Sequence, residues 1–200
     1  MKRALDVLLA GLALAALLPL LVLVGILVPL ESPGPALFRQ VRVGRGFRPF
    51  VIYKFRSMVV EAALTGGPIT GGGDPRVTRL GRLLRRFHLD ELPQLWNVLR
   101  GDMSLVGPRP ELARYVAMFP EDYTEILAVR PGAFDLAGLA YPDEPAALAR
   151  ARDAETEYVR RILPDKVRLG KEYVRRASLG LDLEVIARSV AAVLSGRAGG

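Results

Sequence analysis

The chain has no cysteine, and His88 is its only histidine in 200 residues. The first absence excludes a disulfide framework, a thiolate metal site and a thiol nucleophile. The second argues against a histidine metal centre and a Ser-His-Asp triad. His88 itself reads as a structural neighbour of an acid pair, with proton carriage as the second reading. Acidic residues are in deficit, 21 against 28 Lys and Arg, which leaves a formal net charge of +7. That excess fits nucleic acid, anionic lipid or a phosphorylated substrate. No internal repeat is visible. The glycine-rich stretch at residues 61–74, with Gly66-Gly67 and Gly71-Gly72-Gly73, is not followed by Gly-Lys-Ser/Thr, so it is no Walker phosphate loop and reads as a mobile loop. Two hundred residues, half of them hydrophobic, suffice for one domain or a small domain plus a membrane segment.

Charge is also missing from residues 7–30. As a helix this run would be roughly 36 Å long, enough to cross a bilayer core. A cleaved signal peptide fits poorly, because the apolar run is too long and Asp6 interrupts the basic start. A simple spanning helix and a re-entrant helix remain. Pro19 at mid-run can bend a helix. Lys2 and Arg3 precede the run, and Arg39, Arg42, Arg45 and Arg48 follow it. The positive-inside rule then wants both ends on one side, which a bent helix satisfies and a single span does not.

The most informative stretch is 85–110. Leu92, Leu95, Trp96 and Leu99 recur at helical spacing, and Gly101 stops that helix. Asp90 stands where an N-cap belongs, with Pro93 in the first turn. A plain cap would be the ordinary reading of Asp90. Glu91 beside it, Arg85 and Arg86 upstream and Arg109 in a rigid turn downstream point instead to a metal–phosphate ligand.

These residues carry a resemblance. Asp90-Glu91-Leu92-Pro93-Gln94, Gly101-Asp102-Met103-Ser104 and Gly107-Pro108-Arg109-Pro110 resemble the bacterial sugar transferases, the small monotopic phosphoglycosyl transferases. Lys2-Arg3-Ala4-Leu5-Asp6, Lys54-Phe55-Arg56-Ser57-Met58 and Arg130-Pro131-Gly132 match in the same order. Ala133-Phe134-Asp135-Leu136 departs from the family's Ile-Thr-Gly-Trp continuation, and the 133–145 loop has no obvious equivalent of a downstream family arginine. The resemblance implies transfer of a phosphosugar from a UDP-sugar to polyprenol (undecaprenyl) phosphate, with release of UMP, as the initiating step of surface glycan synthesis. It implies Mg²⁺ as cofactor and a site on the cytoplasmic face of the inner membrane.

On that basis Asp90 is expected to be the nucleophile and Glu91 its partner, both near the metal. Arg109, held between Pro108 and Pro110, is the first expected phosphate contact. Arg85, Lys54 and Arg56 come next. Asp102 is expected to cap the turn after the helix. Anionic lipid is an expected partner and nucleic acid is not. The sugar and the oligomeric state stay open. Two rivals are a non-catalytic, membrane-anchored binder of lipid or nucleic acid, and direct attack by the lipid phosphate with Asp90 only a metal ligand.

The expected fold is α+β and mostly helical. Residues 1–31 form a re-entrant membrane helix, and 32–200 a membrane-associated catalytic domain. A β-hairpin is expected from 36–43 and 48–53 around Gly44-Arg45-Gly46. An arginine-rich amphipathic helix is expected at 76–87, with Val77, Leu80, Leu83, Leu84 and Phe87 on one face. Further helices are expected at 111–119, ended by Pro120, and at 146–163, 165–176 and 181–194. The last carries Leu183, Ile186, Val190, Val193 and Leu194 as its apolar residues, expected to pack on the domain and lie along the membrane. Residues 197–200 should fray.

Overall fold

The computed structural model describes residues 1–62, 67, 69 and 73–195, so most of the glycine-rich 61–74 stretch and residues 197–200 lie outside the described residues. Among the described residues the fold is mostly helical, with two small sheets and one long apolar helix at the start.

That helix, α1 (Lys2–Glu31), continues through both Pro19 and Pro29. Asp6, Ala10, Val24 and Val28 are buried, and Ala13, Leu14, Leu20 and Leu21 pack between them. Their three- and four-residue spacing draws one stripe down the helix, and this stripe lies against the rest of the protein. The opposite stripe is apolar too, yet Leu8, Leu12, Leu18, Val22, Leu23 and Ile26 are each more than half exposed.

β1 (Leu37–Val43) and β2 (Pro49–Phe55) form the antiparallel hairpin, Leu37 facing Phe55 and Val43 facing Pro49. The period-two alternation puts Gln40, Arg42, Ile52 and Lys54 on one face. α2 (Arg79–Arg86) starts later than expected. Thr78 caps it by accepting from Gly81 N at 2.9 Å, and Val77 is drawn into a bridge with Met58. Leu84 is buried against Val24, Val28 and Phe55, whereas Leu83, expected on the same face, is exposed.

His88, in the left-handed region at φ 51°, reverses the chain into a single 3-10 turn (Leu89–Glu91) and then α3 (Gln94–Arg100). Asp90 therefore lies outside the helix, and its side chain caps nothing; Pro93 occupies the cap position. α3 buries Gln94, Leu95, Asn97 and Val98 and leaves Trp96 exposed, which corrects the expected apolar face. The reason is Asn97. Its amide donates to Val51 O at 2.7 Å and accepts from Tyr53 N at 3.2 Å, so docking on β2 sets the rotation of the helix.

β3 (Ser104–Val106) and β4 (Gly132–Phe134) form an unforeseen parallel pair, Ser104 facing Gly132 and Val106 facing Phe134. Between them lie α4 (Ala113–Val116) and α5 (Pro120–Ile126). Pro120 opens a helix rather than ending one, since the first helical position needs no N–H. α6 (Leu136–Ala140) and α7 (Glu144–Ala149) follow, then α8 (Ala154–Glu157). The single helix expected at 146–163 is split because Asp143 and Asp153 each cap a new start. A π-helical turn (Tyr158–Ile162) joins α8 to α9 (Leu163–Arg176), and α10 (Leu179–Leu194) closes the chain. In α10 Val185 is buried and Leu181 and Ile186 pack beside it, while Leu183 and Val190 face outward. Asp182, buried against Lys2 and Tyr173, fixes that rotation.

The main core joins Ala10, Ile52, Leu95, Val98, Met103, Leu105, Val106, Tyr173 and Val185. It packs α1, β2, α3, β3, α9 and α10 under the acid pair. A second core lies under α5 and α9, around Tyr115, Tyr123, Tyr158, Ile162 and Leu163.

Candidate active site

The 3-10 turn presents two adjacent carboxylates to different surroundings. Glu91 accepts from Lys54 Nζ at 2.5 Å and from Arg109 Nη2 at 3.2 Å. Burial opposes its ionisation, but Lys54 and Arg109 outweigh burial and hold its carboxyl well below the usual range. Asp90 is 8% exposed, and among the described residues no hydrogen bond reaches its carboxylate. Burial, and then the charge on Glu91, push Asp90 upward, with Lys54, Arg85 and His88 pulling the other way. One carboxylate is thus committed to two cations, and its neighbour is unengaged.

Arg109 is placed by close backbone contact. Gly132 N donates to Pro108 O at 2.9 Å, and Gly107 N donates to Phe134 O at 3.1 Å. A Cβ on Gly132 would sit 2.0 Å from Gly107 N, so only glycine allows the two strands to meet here. Arg42 Nη1 then donates to Pro110 O at 3.1 Å and pairs with Glu111 at 3.4 Å. From this turn the Arg109 guanidinium reaches Glu91 on one side and Asp135 Oδ2, at 3.5 Å, on the other. Glu91 foremost, with Asp135 behind it, raises the Arg109 pKa despite burial. Burial pushes Asp135 upward, offset in part by Arg109.

Arg42, Ile52, Lys54, Glu91, Gln94, Arg109 and Pro110 line a cleft of about 10 Å³, at most the room of one water. The ion pairs hold it shut. A groove of about 480 Å³ lies between α5 and α9, but the acid pair does not line it, and its basic side chains are paired with Asp122, Glu125, Asp165 and Glu172. The chemistry belongs to the smaller cleft, where unlike charges converge.

The expected site residues divide into two groups. Asp90, Glu91, Lys54 and Arg109 come together, with Pro108 and Pro110 flanking Arg109. Arg85 faces the same turn: its Nε donates to Ser57 Oγ at 2.8 Å, and it attracts Asp90. Arg56 does not join them. Its guanidinium is spent on Ser32 Oγ and on the carbonyls of Pro35 and Ser32, where it ties the exit of α1. Pro19 is an exposed position inside α1. Asp102 lies 3.4 Å from Asn97 Nδ2 and 3.5 Å from Arg100, at the end of α3. His88 serves as the turn residue between α2 and the acids. Arg42 and Asp135 were missed. Arg42 shares a face with Lys54 across the hairpin register, which alternation could have shown. Asp135 reaches Arg109 across 26 positions and left no local trace.

Comparison with known proteins accords with this arrangement. The model of a family described as bacterial sugar transferase matches residues 1–196. A UDP-N-acetylgalactosamine-undecaprenyl-phosphate N-acetylgalactosaminephosphotransferase of Aeromonas hydrophila is 38% identical over 198 residues, covering 98% of this chain and 44% of that protein. A UDP-glucose:undecaprenyl-phosphate glucose-1-phosphate transferase of Caulobacter vibrioides is 43% identical, covering 97% and 70%. The exopolysaccharide production protein PSS of Rhizobium leguminosarum bv. phaseoli is 39% identical, covering 98% and 96%. The chain thus spans under half of the first relative and nearly all of the last. The match takes in the acid pair, the Pro-Arg-Pro turn and the strand that holds it: the chain belongs to the bacterial sugar transferase family.

Proposed function

We propose that the protein transfers a phosphosugar from a UDP-sugar to undecaprenyl phosphate through a covalent intermediate on Asp90. The observation that carries this reading is the buried carboxylate of Asp90, unengaged beside a Glu91 locked to Lys54 and Arg109. A carboxylate held by arginines is a poor nucleophile; one with no donor on it is available.

The diphosphate of the donor exchanges with Glu91 for Lys54 and Arg109, opening the cleft. An Asp90 oxygen then bonds to the β-phosphorus, and the bond from that phosphorus to the bridging oxygen breaks. Arg109 and Lys54 take up the charge that gathers on the leaving UMP. In the second half, an oxygen of the lipid phosphate attacks the same phosphorus, and Asp90 is released as carboxylate. The product is polyprenyl diphosphosugar.

No cluster of three or more acids or histidines able to hold a metal occurs among the described residues. Asp90 and Glu91 nonetheless suit Mg²⁺, which takes one or two carboxylates and fills its shell with substrate phosphate and water. When bound, the ion would screen the diphosphate from the carboxylate that attacks it.

The membrane reading follows α1. Its start is tied to β3 through Asp6, and Glu31 at its far end accepts from Leu80 N at 3.0 Å. A helix crossing the bilayer would carry its end roughly 30 Å from the domain. Two attached ends and an exposed apolar stripe support an anchor that enters and leaves on one side, with the site at the cytoplasmic face of the inner membrane.

The test is UMP release from a panel of UDP-sugars with undecaprenyl phosphate and Mg²⁺, in detergent. One donor should release UMP, and Asp90→Asn should abolish release while membrane association persists. Label from the sugar phosphate should remain on protein when acceptor is withheld. Full activity in Asp90→Asn would sink the reading, and a strict need for acceptor before any UMP appears would replace the covalent step with direct attack.

A further inference from the structure

The first five residues of α1 grip every residue of β3. Asp6 is buried, and both its oxygens are used: Oδ2 accepts from Ser104 Oγ at 2.8 Å, and Oδ1 from Leu105 N at 3.1 Å. Lys2 Nζ donates to Val106 O at 3.1 Å, to Tyr173 Oη at 3.2 Å and to Asp182 Oδ2 at 2.5 Å. The Tyr173 hydroxyl lies 2.6 Å from Asp182 Oδ1 and 3.0 Å from Val106 O, with one proton to share between them. Arg3 donates to Leu99 O at 3.1 Å and Met103 O at 3.5 Å, at the end of α3 and the start of the strand. The amino-terminal charges are spent inward, on carbonyls and a buried carboxylate, rather than left for headgroups.

What this clamp holds is the base of the Arg109 turn. Arg109 follows Val106 by three positions in Val106-Gly107-Pro108-Arg109. Gly107 and Pro108 are pinned to Phe134 and Gly132, and the two prolines stiffen the rest. Little slack separates the clamp from the guanidinium. If Ser104 or Leu105 slides, Arg109 shifts relative to Glu91 and Asp135. Displacement of a positioning group by about 1 Å can cost on the order of a hundredfold in rate.

We propose that Lys2, Arg3 and Asp6 are positioning residues for Arg109, so that seating the membrane helix and setting the phosphate-binding turn are one event. This rests on the transferase reading above, in which Arg109 holds substrate phosphate. Lys2-Arg3-Ala4-Leu5-Asp6 then serves the active site from within, beyond any part in orienting the helix.

The experiment is a double-mutant cycle on the full chain in detergent, reading kcat and KM for UMP release. Asp6→Asn keeps the size of the side chain but removes the charge that strengthens both bonds and forces the one to Ser104 to reverse or break. Alone it should lower kcat about tenfold or more, with KM for the donor changed less than about threefold. In an Arg109→Lys background, read as single-turnover UMP release with enzyme in excess of donor, the same change should cost less than about twofold, because its target is already displaced. If Asp6→Asn proves unstable on thermal unfolding, Ser104→Ala removes one of the two bonds and takes its place in the cycle, with a smaller loss of the same pattern. Losses that multiply across the two backgrounds, or no loss in kcat, overturn the proposal. Absence of turnover in the wild-type chain with every donor would instead overturn the transferase reading itself.

Discussion

Asp90 and Glu91 are neighbours in sequence with opposite electrostatic fates, and the difference lies in what faces them. Glu91→Gln leaves Lys54 and Arg109 without their shared counter-charge, and breaking such a half-buried network from one side costs roughly 1–3 kcal/mol. The pH dependence has a definite sign. The folded-state pKa of Glu91 is depressed, so its contribution is fully present above the unfolded value near 4.3 and is lost as pH falls from there towards the folded value. Chemical denaturation with chelator present should therefore show wild type more stable than Glu91→Gln at pH 7, and the gap closing below about pH 4. A gap that does not shrink between about pH 4 and pH 2 would show that charge is not the cause. Gly132 makes a second residue-scale case. Gly132→Ala puts a Cβ into Gly107 N; overpacking of this kind costs roughly 1–3 kcal/mol. It should also lower UMP release by pushing the Arg109 turn aside.

Among the elements, α2 gives the sharpest contrast. Leu83 and Leu84 are adjacent, and only Leu84 is buried, against Val24, Val28 and Phe55. Leu84→Ala should cost about 3 kcal/mol on thermal unfolding, and Leu83→Ala less than about 0.5. Equal losses would mean the helix is seated differently. α1, the hairpin and α2 were legible in the sequence because each carries its own period or composition. The rotations of α3 and α10 were not. Hydrophobic spacing put Trp96 on the apolar face of α3 and ranked Leu183 with Ile186 in α10, but Asn97 and Asp182, both polar, fix which face goes in, and a polar residue's buried partner leaves no mark in its neighbourhood. β3 and β4 were invisible for a related reason: three residues each, paired across 28 positions from Ser104 to Gly132. The same holds at the site. Asp90, Glu91 and Arg109 stand out through local motifs that resemble a family, whereas Arg42 and Asp135 are recruited by contacts that exist only in the fold.

For the whole molecule the question is which side of the bilayer each end of α1 meets. The chain has no cysteine, so single probes can be added to a clean background. Ala4 and Pro33 are exposed positions near the two ends. Ala4→Cys and Pro33→Cys should both react with a membrane-impermeant maleimide from the cytoplasmic side of inverted vesicles, and neither from the other side. Labelling from opposite sides would make α1 a single span.

Glu91 accepts from Lys54 and Arg109, the two cations that the donor diphosphate would take in the proposed reaction. The protein thus carries an internal competitor for its own ligand. On the transferase reading, a phosphate would have to displace it to bind, and affinity would fall by the free energy of that displacement. Free UDP carries about one negative charge more than UMP near pH 7, so Glu91 would reclaim Lys54 and Arg109 more readily from UMP than from UDP. We expect UMP to inhibit far more weakly than UDP in competition assays, and Glu91→Gln to narrow that difference. Turnover would then be helped along by a carboxylate that expels the spent nucleotide.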